Sequence, residues 1–213
     1  MAQYDWHTVY DFWFPATLIE ADEHDFKRIV GWWMAGGATS ELERFRPIVE
    51  AAKAGSLDAW CATPKGRLSL ILALDQFTRG LFAGTPEAYA SDLDALRLAE
   101  EGLRTGHYDA LTAPWERAFF LMPLGHAEGP RHRERLQTLL ALSEARMADA
   151  PAAYRPIIGF GISQTRGHLD VIERFGRFPV RNAVLGRAST PAERAYLDEG
   201  EFVHERAAAF AKS

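Results

Sequence analysis

Start and stop signals for helices recur along the whole chain, and they constrain its fold more than any other feature. Thr63-Pro64 and Thr85-Pro86 each place a capping hydroxyl directly before a proline at a first helical position. Thr190-Pro191-Ala192-Glu193 adds a glutamate three residues after the capping threonine, which completes a capping box. Gly176 follows a long helical pattern and can close it in the left-handed conformation. Because no segment shows the alternation that marks a strand, we predict an all-α fold.

The helices predicted from these signals and from apolar periodicity cover most of the chain. They lie near residues 4–14, 23–34, 41–54, 64–78, 86–104, 114–122, 130–148, 155–175 and 191–198, with a short helical tail near 201–211. Pro47 lies inside the third of them and is expected to kink it. Since short connections join 64–78 to 86–104 and 130–148 to 155–175, we expect both pairs to pack as antiparallel hairpins.

Composition narrows the class of protein further. With 213 residues, 47% of them hydrophobic, the chain can bury a sizeable core, and we predict one helical domain over residues 1–213. The net charge of -5 does not favour a nucleic-acid partner. Cys61 is the single cysteine, which fits a reducing cytoplasm. The longest apolar runs are too short to span a bilayer and no leader pattern is present, so we predict a cytoplasmic protein without a membrane partner.

The most distinctive stretch follows the predicted helix 155–175 and is rich in arginine, glycine and proline. It reads Phe175-Gly176-Arg177-Phe178-Pro179-Val180-Arg181-Asn182 and continues through Leu185-Gly186-Arg187 to Ser189-Thr190-Pro191. Glycine and proline restrict the backbone there, while arginine and asparagine offer several directed hydrogen-bond donors. Such a loop suits either an anion-binding site or a structural clamp.

This loop, two further motifs and an aromatic segment near the start together resemble a known bacterial family. The additional segments are Asp11-Phe12-Trp13-Phe14, Asp75-Gln76-Phe77-Thr78-Arg79 and Pro123-Leu124-Gly125-His126-Ala127-Glu128. From about Val9 to Leu197, the chain is similar to the family called domain of unknown function 924 (DUF924). The resemblance implies an all-helical fold arranged like tetratricopeptide repeats, and it implies no established activity.

The chain departs from the family pattern at positions that carry polar groups or turn residues in that pattern. Val180 stands where the pattern has histidine, and Ala127 stands where it has serine. In the first motif, Thr78 replaces a proline and Gly80 replaces an asparagine. A mechanism that needs a histidine at 180 or a serine at 127 is therefore excluded for this chain.

The three loop arginines, Arg177, Arg181 and Arg187, support two opposing interpretations. Together with Asn182, their planar guanidinium groups could converge on a carboxylate or phosphate of a small molecule. Alternatively, they could bond carbonyls at the end of the predicted helix 155–175 and pair with acidic side chains such as Asp75, Glu128 or Asp170 as a structural clamp. The sequence leaves both interpretations open.

His126 and Glu128 follow Pro123, in a predicted break between helices. Connecting segments carry sites more often than cores do, and a histidine beside a carboxylate can act as a general acid or base. Alternatively, His126 donates to a backbone carbonyl and closes the turn.

His168 lies on the apolar face of the predicted helix 155–175, three and four residues before Val171 and Ile172. This placement is typical of a buried structural histidine. His168 is nevertheless a second candidate for moving a proton, if it shares a cavity with His126 and Glu128. Because these side chains lack a diagnostic ligand spacing, we expect no metal and no cofactor.

Asp75 and Arg79 stand four residues apart near the end of the predicted helix 64–78, where they can pair directly. If Asp75 is buried, it could instead orient an arginine of the 177–187 loop.

Two functional hypotheses follow, and whether the chain is an enzyme stays open. The first is a site for an anionic small molecule, formed by the loop 175–187 and nearby side chains. Its candidate catalytic residues are His126 and His168, and its candidate ligand-binding residues are Asp75, Arg79, Glu128, Arg177, Arg181, Asn182 and Arg187. The second is a helix-repeat interaction scaffold whose groove binds a peptide or protein partner, with the arginines as a structural clamp.

Overall fold

The computed structural model describes residues 4–19, 23–34 and 36–200, and every regular element within them is a helix. The predicted all-α class is therefore confirmed. The predicted tail near 201–211 lies outside the described residues. The α-helices are α1 (Trp6–Trp13), α2 (Glu23–Met34), α3 (Thr39–Leu42), α4 (Arg46–Lys53), α5 (Pro64–Ile71), α6 (Thr78–Leu81), α7 (Asp92–Arg104), α8 (His107–Ala110), α9 (Pro114–His126), α10 (His132–Asp149), α11 (Arg155–Phe175) and α12 (Pro191–Glu199).

A central helix organises the core. The π-helical segment Leu72–Phe77 joins α5 to α6 without a break. Side chains from Leu68 to Leu74 are all buried, because this stretch is apolar around its whole circumference. The central helix contacts α1, α4, α7 and α9 on its different sides. Residues that point out of it are therefore surrounded by other helices.

Aromatic side chains from the first two helices fill one side of the core. The ring centroid of Trp13 lies 5.5 Å from those of both Phe77 and Phe119. Trp33 packs 5.0 Å from Phe119, and its indole Nε1 donates to the carbonyl of Trp13 over 3.0 Å. Large rings dominate apolar burial, so these contacts hold the N-terminal helices against the central helix.

Two of the three predicted threonine caps are confirmed. Thr63 Oγ1 accepts from the backbone N–H of Gly66 over 3.1 Å at the start of α5. Thr190 and Glu193 form the reciprocal capping box of α12. The cap at Thr85 is wrong, because its hydroxyl donates to the carbonyl of Phe82 instead. A 3-10 turn occupies Pro86–Tyr89, and α7 begins only at Asp92.

The predicted helix 41–54 is divided in the structure. α3 ends at Leu42, a 3-10 turn spans Glu43–Phe45, and α4 begins at Arg46. Pro47 lies in the first turn of α4, where its missing N–H leaves no helical bond unmade. The proline therefore starts a helix, and the predicted kink is wrong.

The two helix pairs expected from short connections do pack together. α10 lies against α11, and α5 lies against α7, while α9 contacts both α7 and α10. The tetratricopeptide-like arrangement stays a prediction. No helix within the described residues combines the length and the apolar character needed to cross a bilayer.

Candidate functional site

Asp75 lies on the π-helical segment Leu72–Phe77, in the middle of the central helix. A π-helical turn closes its hydrogen bonds over five residues instead of four, and such turns are frequent at functional sites. Side chains donate to two carbonyls of this segment. Thr78 Oγ1 lies 2.8 Å from the carbonyl oxygen of Leu74, and Arg79 Nη1 lies 2.6 Å from that of Asp75. These bonds hold the end of the segment in a defined geometry.

The Asp75 carboxylate is fully buried and bound by three side chains. Nδ1 of His126 lies 2.8 and 3.0 Å from its two oxygens, and Nη1 of Arg79 lies 3.0 Å from one of them. Nε2 of Gln76 donates to the other. Burial by itself raises the pKa of a carboxyl, but the charges and hydrogen bonds of Arg79 and His126 outweigh burial here. The pKa of Asp75 therefore lies well below its ordinary value, and Asp75 is a carboxylate.

His126 is the last residue of α9, because this helix runs through Pro123. The predicted helix end at 122, and with it the loop position of His126, is therefore wrong. Proline removes one backbone donor inside a helix, but the flanking residues from Phe119 to Gly125 are largely buried, and this packing outweighs the loss. The His126 side chain is 17% exposed. Its Nδ1 faces Asp75, and its Nε2 has no hydrogen-bond partner within the described residues.

Asp92 connects two arginines from distant parts of the chain. Its Oδ1 lies 2.8 Å from Nη2 of Arg79, and its Oδ2 lies 3.2 Å from Nη1 of Arg181. Nη1 of Arg181 also donates to the carbonyl of His126 over 2.9 Å. The Tyr89 ring lies against the Arg181 guanidinium, 4.5 Å from centroid to Cζ. The side chains of Asp92 and Arg181 are 7% and 5% exposed, so this connection is shielded from solvent.

Burial raises the pKa of both aspartates of this network, but the neighbouring groups outweigh burial only at Asp75. Burial raises the pKa of Asp92, and the nearby Asp75 charge adds to the increase, although Arg79 and Arg181 oppose it. Burial also lowers the pKa of Arg181, and the charge of Arg79 adds to that decrease. The fold therefore favours the charged form of Asp75 and disfavours the charged form of Asp92.

Glu128 ties the arginine-rich loop to the segment that follows α9. Its Oε1 accepts from the backbone N–H of Phe178 over 2.6 Å, and both of its oxygens accept from the Arg187 guanidinium. Nε of Arg187 donates to Oδ1 of Asn182 over 3.0 Å, and Asn182 in turn donates to the hydroxyl of Ser189. Asn182 is 1% exposed, so its amide works within the loop.

Arg177 holds the start of α12 to the loop. Its Nε and Nη2 lie 2.6 and 2.9 Å from the two oxygens of Glu193 in a bidentate pair. The same glutamate accepts from the backbone N–H of Thr190 over 2.7 Å. These bonds lower the pKa of Glu193 to about 2. The capping box and the arginine pair therefore share one carboxylate.

The three loop arginines are all paired with carboxylates, namely those of Glu193, Asp92 and Glu128. Asp92, not Asp75, holds Arg181, so the idea that Asp75 orients a loop arginine is wrong. An added anion would find no unpaired guanidinium group among these three. Eight of the nine predicted site residues take part in these bonds, and His168 is the exception. The eight are Asp75, Arg79, His126, Glu128, Arg177, Arg181, Asn182 and Arg187. We call these residues, together with Asp92 and Glu193, the charge network.

His168 lies beside this network instead of within it. Its ring packs 5.2 Å from the ring of Phe178, which also lies 4.7 Å from Cζ of Arg181. Val180 packs in the apolar cluster that contains Leu136 and Tyr196, so the family's histidine position is occupied here by a hydrophobic contact.

Asp92 and Glu193 were not among the predicted site residues, although both are central to the network. Asp92 falls inside the predicted helix 86–104, where acidic residues with helical spacing look solvated. One sequence signal could have identified Asp92. Acidic residues are favoured in the first turn of a helix, and α7 begins at Asp92. Within the described residues, no group of three or more histidine, cysteine, aspartate or glutamate side chains is arranged to hold a metal ion.

Comparisons with known proteins agree with the sequence pattern. Residues 9–201 match the family model described as a bacterial protein of unknown function, DUF924. The chain is also similar to a solved structure of a protein of unknown function from Agrobacterium tumefaciens, with 36% identity and a TM-score of 0.65. That match covers 77% of this chain and 85% of the other. No curated protein matches the chain.

Proposed function

The chain belongs to the DUF924 family of bacterial proteins, and we propose that it binds a small anionic molecule where the His126 ring reaches the surface of the charge network. The observation that carries this proposal is the pairing of His126 with a buried carboxylate. Asp75 holds Nδ1, and the partly exposed ring directs Nε2 away from that bond. A ligand that approaches this face would meet a fixed imidazole nitrogen.

The charges of the network support a role for His126 more than for the arginines. Four guanidinium groups and four carboxylates are paired with one another, so these eight groups together are neutral. Because each of these guanidinium groups already has a carboxylate partner, an added anion would have to bind through the outer nitrogen of His126. That nitrogen donates to an anion when both ring nitrogens carry a proton, with Nδ1 held by Asp75.

The arginine pairs have a supporting role in this proposal. Arg79 and Gln76 fix the Asp75 carboxylate, and Arg181 binds the backbone of His126 itself. An imidazole that is oriented by a buried carboxylate retains one tautomer and can exchange a proton at its outer nitrogen. His126 is accordingly the residue that we assign to proton exchange, should the bound molecule react.

The described surface does not favour the alternative of an interaction scaffold. Among the described residues, the large hydrophobic side chains that are exposed are Ile19 and Leu93. Two separate side chains do not make the broad apolar groove that a partner helix needs.

The test is a thermal-shift screen of carboxylate and phosphate metabolites against the parent protein at pH 6 and pH 8. His126→Asn is the informative variant, because its amide can still donate to Asp75 while the outer nitrogen is lost. His24→Asn applies the same change to an exposed histidine of α2 and is the control. We expect an anion to stabilise the parent and the control, and to leave the His126 variant unstabilised. Failure of every anion at both pH values, or equal stabilisation of the His126 variant, would refute the proposal.

A further inference from the structure

A separate cleft opens between the α8–α9 region and the helices α10 and α11. Its volume is about 380 Å³, which is within the range of small-molecule sites. None of the residues that line it belongs to the charge network. Part of the lining is apolar, and this part includes Pro114, Leu142 and Ile158.

Two arginines in the lining of this cleft bond only neutral groups. Nε and Nη2 of Arg117 donate to the carbonyls of Leu111 and Asp109 over 2.8 and 3.2 Å. Nη1 and Nη2 of Arg146 reach the carbonyl of Pro114 and the hydroxyl of Ser143, each over a long 3.3 Å. Asp109 also lines the cleft, but among the side chains that the structure describes no carboxylate forms an ion pair with either guanidinium. The lining therefore carries two arginines and one acidic residue, and its arginines lack the direct carboxylate partners that those of the charge network have.

Two buried polar atoms of the same cleft have no hydrogen-bond partner in the part of the chain that the structure describes. Nε of Arg146 is one, and the hydroxyl of Tyr108 is the other. The Tyr108 side chain is 5% exposed, and Cζ of Arg117 lies 5.7 Å from its ring centroid. Buried polar groups are nearly always hydrogen-bonded, so an unpaired donor beside two guanidinium groups in a cleft is a place where an acceptor from outside the chain can bind.

The positions of these groups also affect their ionisation. Burial lowers the pKa of Arg146, and the nearby charge of Arg117 adds to this effect, although Tyr108 opposes it. A bound anion would relieve both unfavourable contributions, because it would offset the like charges and satisfy the buried donors.

We propose that this cleft binds a small organic carboxylate, with the carboxylate group between Arg146, Arg117 and the Tyr108 hydroxyl and an apolar body against Leu142 and Ile158. A carboxylate matches the guanidinium fork and accepts from the phenol at the same time. An inorganic anion would leave the apolar wall uncovered. The cleft therefore selects for charge at one end of the ligand and for an apolar surface at the other.

Calorimetric titration of the full chain with sodium benzoate tests this site, and benzyl alcohol serves as the neutral analogue. We expect saturable benzoate binding that weakens about tenfold in Arg146→Met and about fivefold in Tyr108→Phe, since these variants remove a charged and a neutral hydrogen bond respectively. Arg104→Met removes a guanidinium that is 74% exposed and should leave binding unchanged. His126→Asn should also leave it unchanged, which separates this cleft from the site proposed above.

Tyr108→Phe keeps the test decisive even if Arg146→Met does not fold. Because the Tyr108 hydroxyl has no hydrogen-bond partner among residues 4–19, 23–34 and 36–200, its removal should not lower the melting temperature. The absence of saturable benzoate binding would overturn the proposal. So would unchanged affinity in Tyr108→Phe, or binding of benzyl alcohol or inorganic phosphate as tight as that of benzoate.

Discussion

Replacement of Asp75 by asparagine should destabilise the fold more than any other charge-neutralising change in the network. The substitution keeps the shape of the side chain and removes its charge at a position with 0% exposure. It leaves Arg79 and His126 in place, with one acceptor oxygen where the carboxylate offered two. The amide group would then direct a donor toward another donor.

The size of the effect follows from the bonds that are lost. Loss of one partner from a buried ion pair costs about 3–5 kcal/mol, because the remaining charge is left uncompensated. Arg79 keeps its bond to Asp92 over 2.8 Å, which favours the lower half of that range. The lowered pKa of Asp75 also predicts a loss of stability, because the fold stabilises the charged form of this carboxyl over the neutral one.

Asp92→Asn is the matched comparison, because it makes the same chemical change at a similarly buried position of the same network. The pKa of Asp92 is raised by burial and by the Asp75 charge, so the fold disfavours its charged form. We therefore expect Asp92→Asn to cost less than Asp75→Asn, even though Arg181 loses its carboxylate partner. Two buried aspartates that share Arg79 should thus lose different amounts of stability on neutralisation.

Urea unfolding followed by far-ultraviolet circular dichroism gives both free energies of unfolding at pH 7. Equal losses in the two variants, or a loss below about 1 kcal/mol in Asp75→Asn, would refute the electrostatic reasoning. The pH dependence is a second check. A carboxyl with a lowered folded pKa stabilises the protein above its unfolded pKa of about 3.9 and loses that contribution as the pH falls further. The difference between the curves of the parent and of Asp75→Asn should therefore begin to narrow as the pH falls below about 4, and it should close only as the pH passes the lowered folded pKa of Asp75.

Three further predictions concern stability. Burial lowers the pKa of His132 to about 4, so as the pH falls the unfolded chain binds a proton at this residue before the folded protein does. We therefore expect the free energy of unfolding to fall by up to about 1.4 kcal/mol per pH unit between pH 6.5 and 4. In urea unfolding at several pH values, His132→Gln should show a weaker dependence of this free energy on pH. A Cβ on Gly66 would lie 2.3 Å from the carbonyl oxygen of Trp60. Gly66→Ala should therefore lower the free energy of unfolding by about 3 kcal/mol. An unchanged melting temperature would show instead that the backbone moves to accept the methyl group. Thr190→Ala removes the acceptor for the N–H of Glu193 and should cost about 1 kcal/mol in urea unfolding, while Thr190→Ser should restore most of it.

Local chemistry explains which parts of the fold could be predicted. The caps at Thr63 and Thr190 depend on atoms within three residues, so their sequences were sufficient. Thr85-Pro86 carries the same signal, but there it precedes a 3-10 turn, and the longer helix starts at Asp92. The signal marks the start of a turn and cannot tell how far the helix continues.

Burial explains why the helix end predicted at Pro123 is wrong. Pro123 was expected to end a helix, since it lacks a donor and disfavours the helical interior. In the structure α9 continues through it to His126, because the segment around it is packed into the core. Tertiary contacts outweigh a local preference of this size, and the sequence contains no local sign of them.

The sequence predicted most of the residues of the candidate site, but few of the partners with which they pair. Arg187 with Glu128 is the kind of clamp that the sequence suggested, whereas Asp75 with His126 joins residues 51 positions apart. Apolar periodicity predicts neither that His126 is the partner of Asp75 nor how far apart the two side chains lie, because both depend on how the helices pack. Asp92 was missed for the same reason, since its two arginine partners come from different ends of the chain.

The π-helical segment Leu72–Phe77 also sets a limit on changes in the length of this chain. A π-helical turn already holds one residue more than an α-helical turn, and each residue of an α-helix turns it by about 100°. A one-residue insertion ahead of Asp75 that stayed helical would therefore rotate all that follows it by about that angle. Asp75 and Arg79 would then face different neighbours, although every side chain of the network would still be present. Single substitutions in this helix can be absorbed by repacking, but a single-residue insertion would separate the two ends of one ion-paired cluster. The length of this helix is therefore more constrained than the identity of its residues.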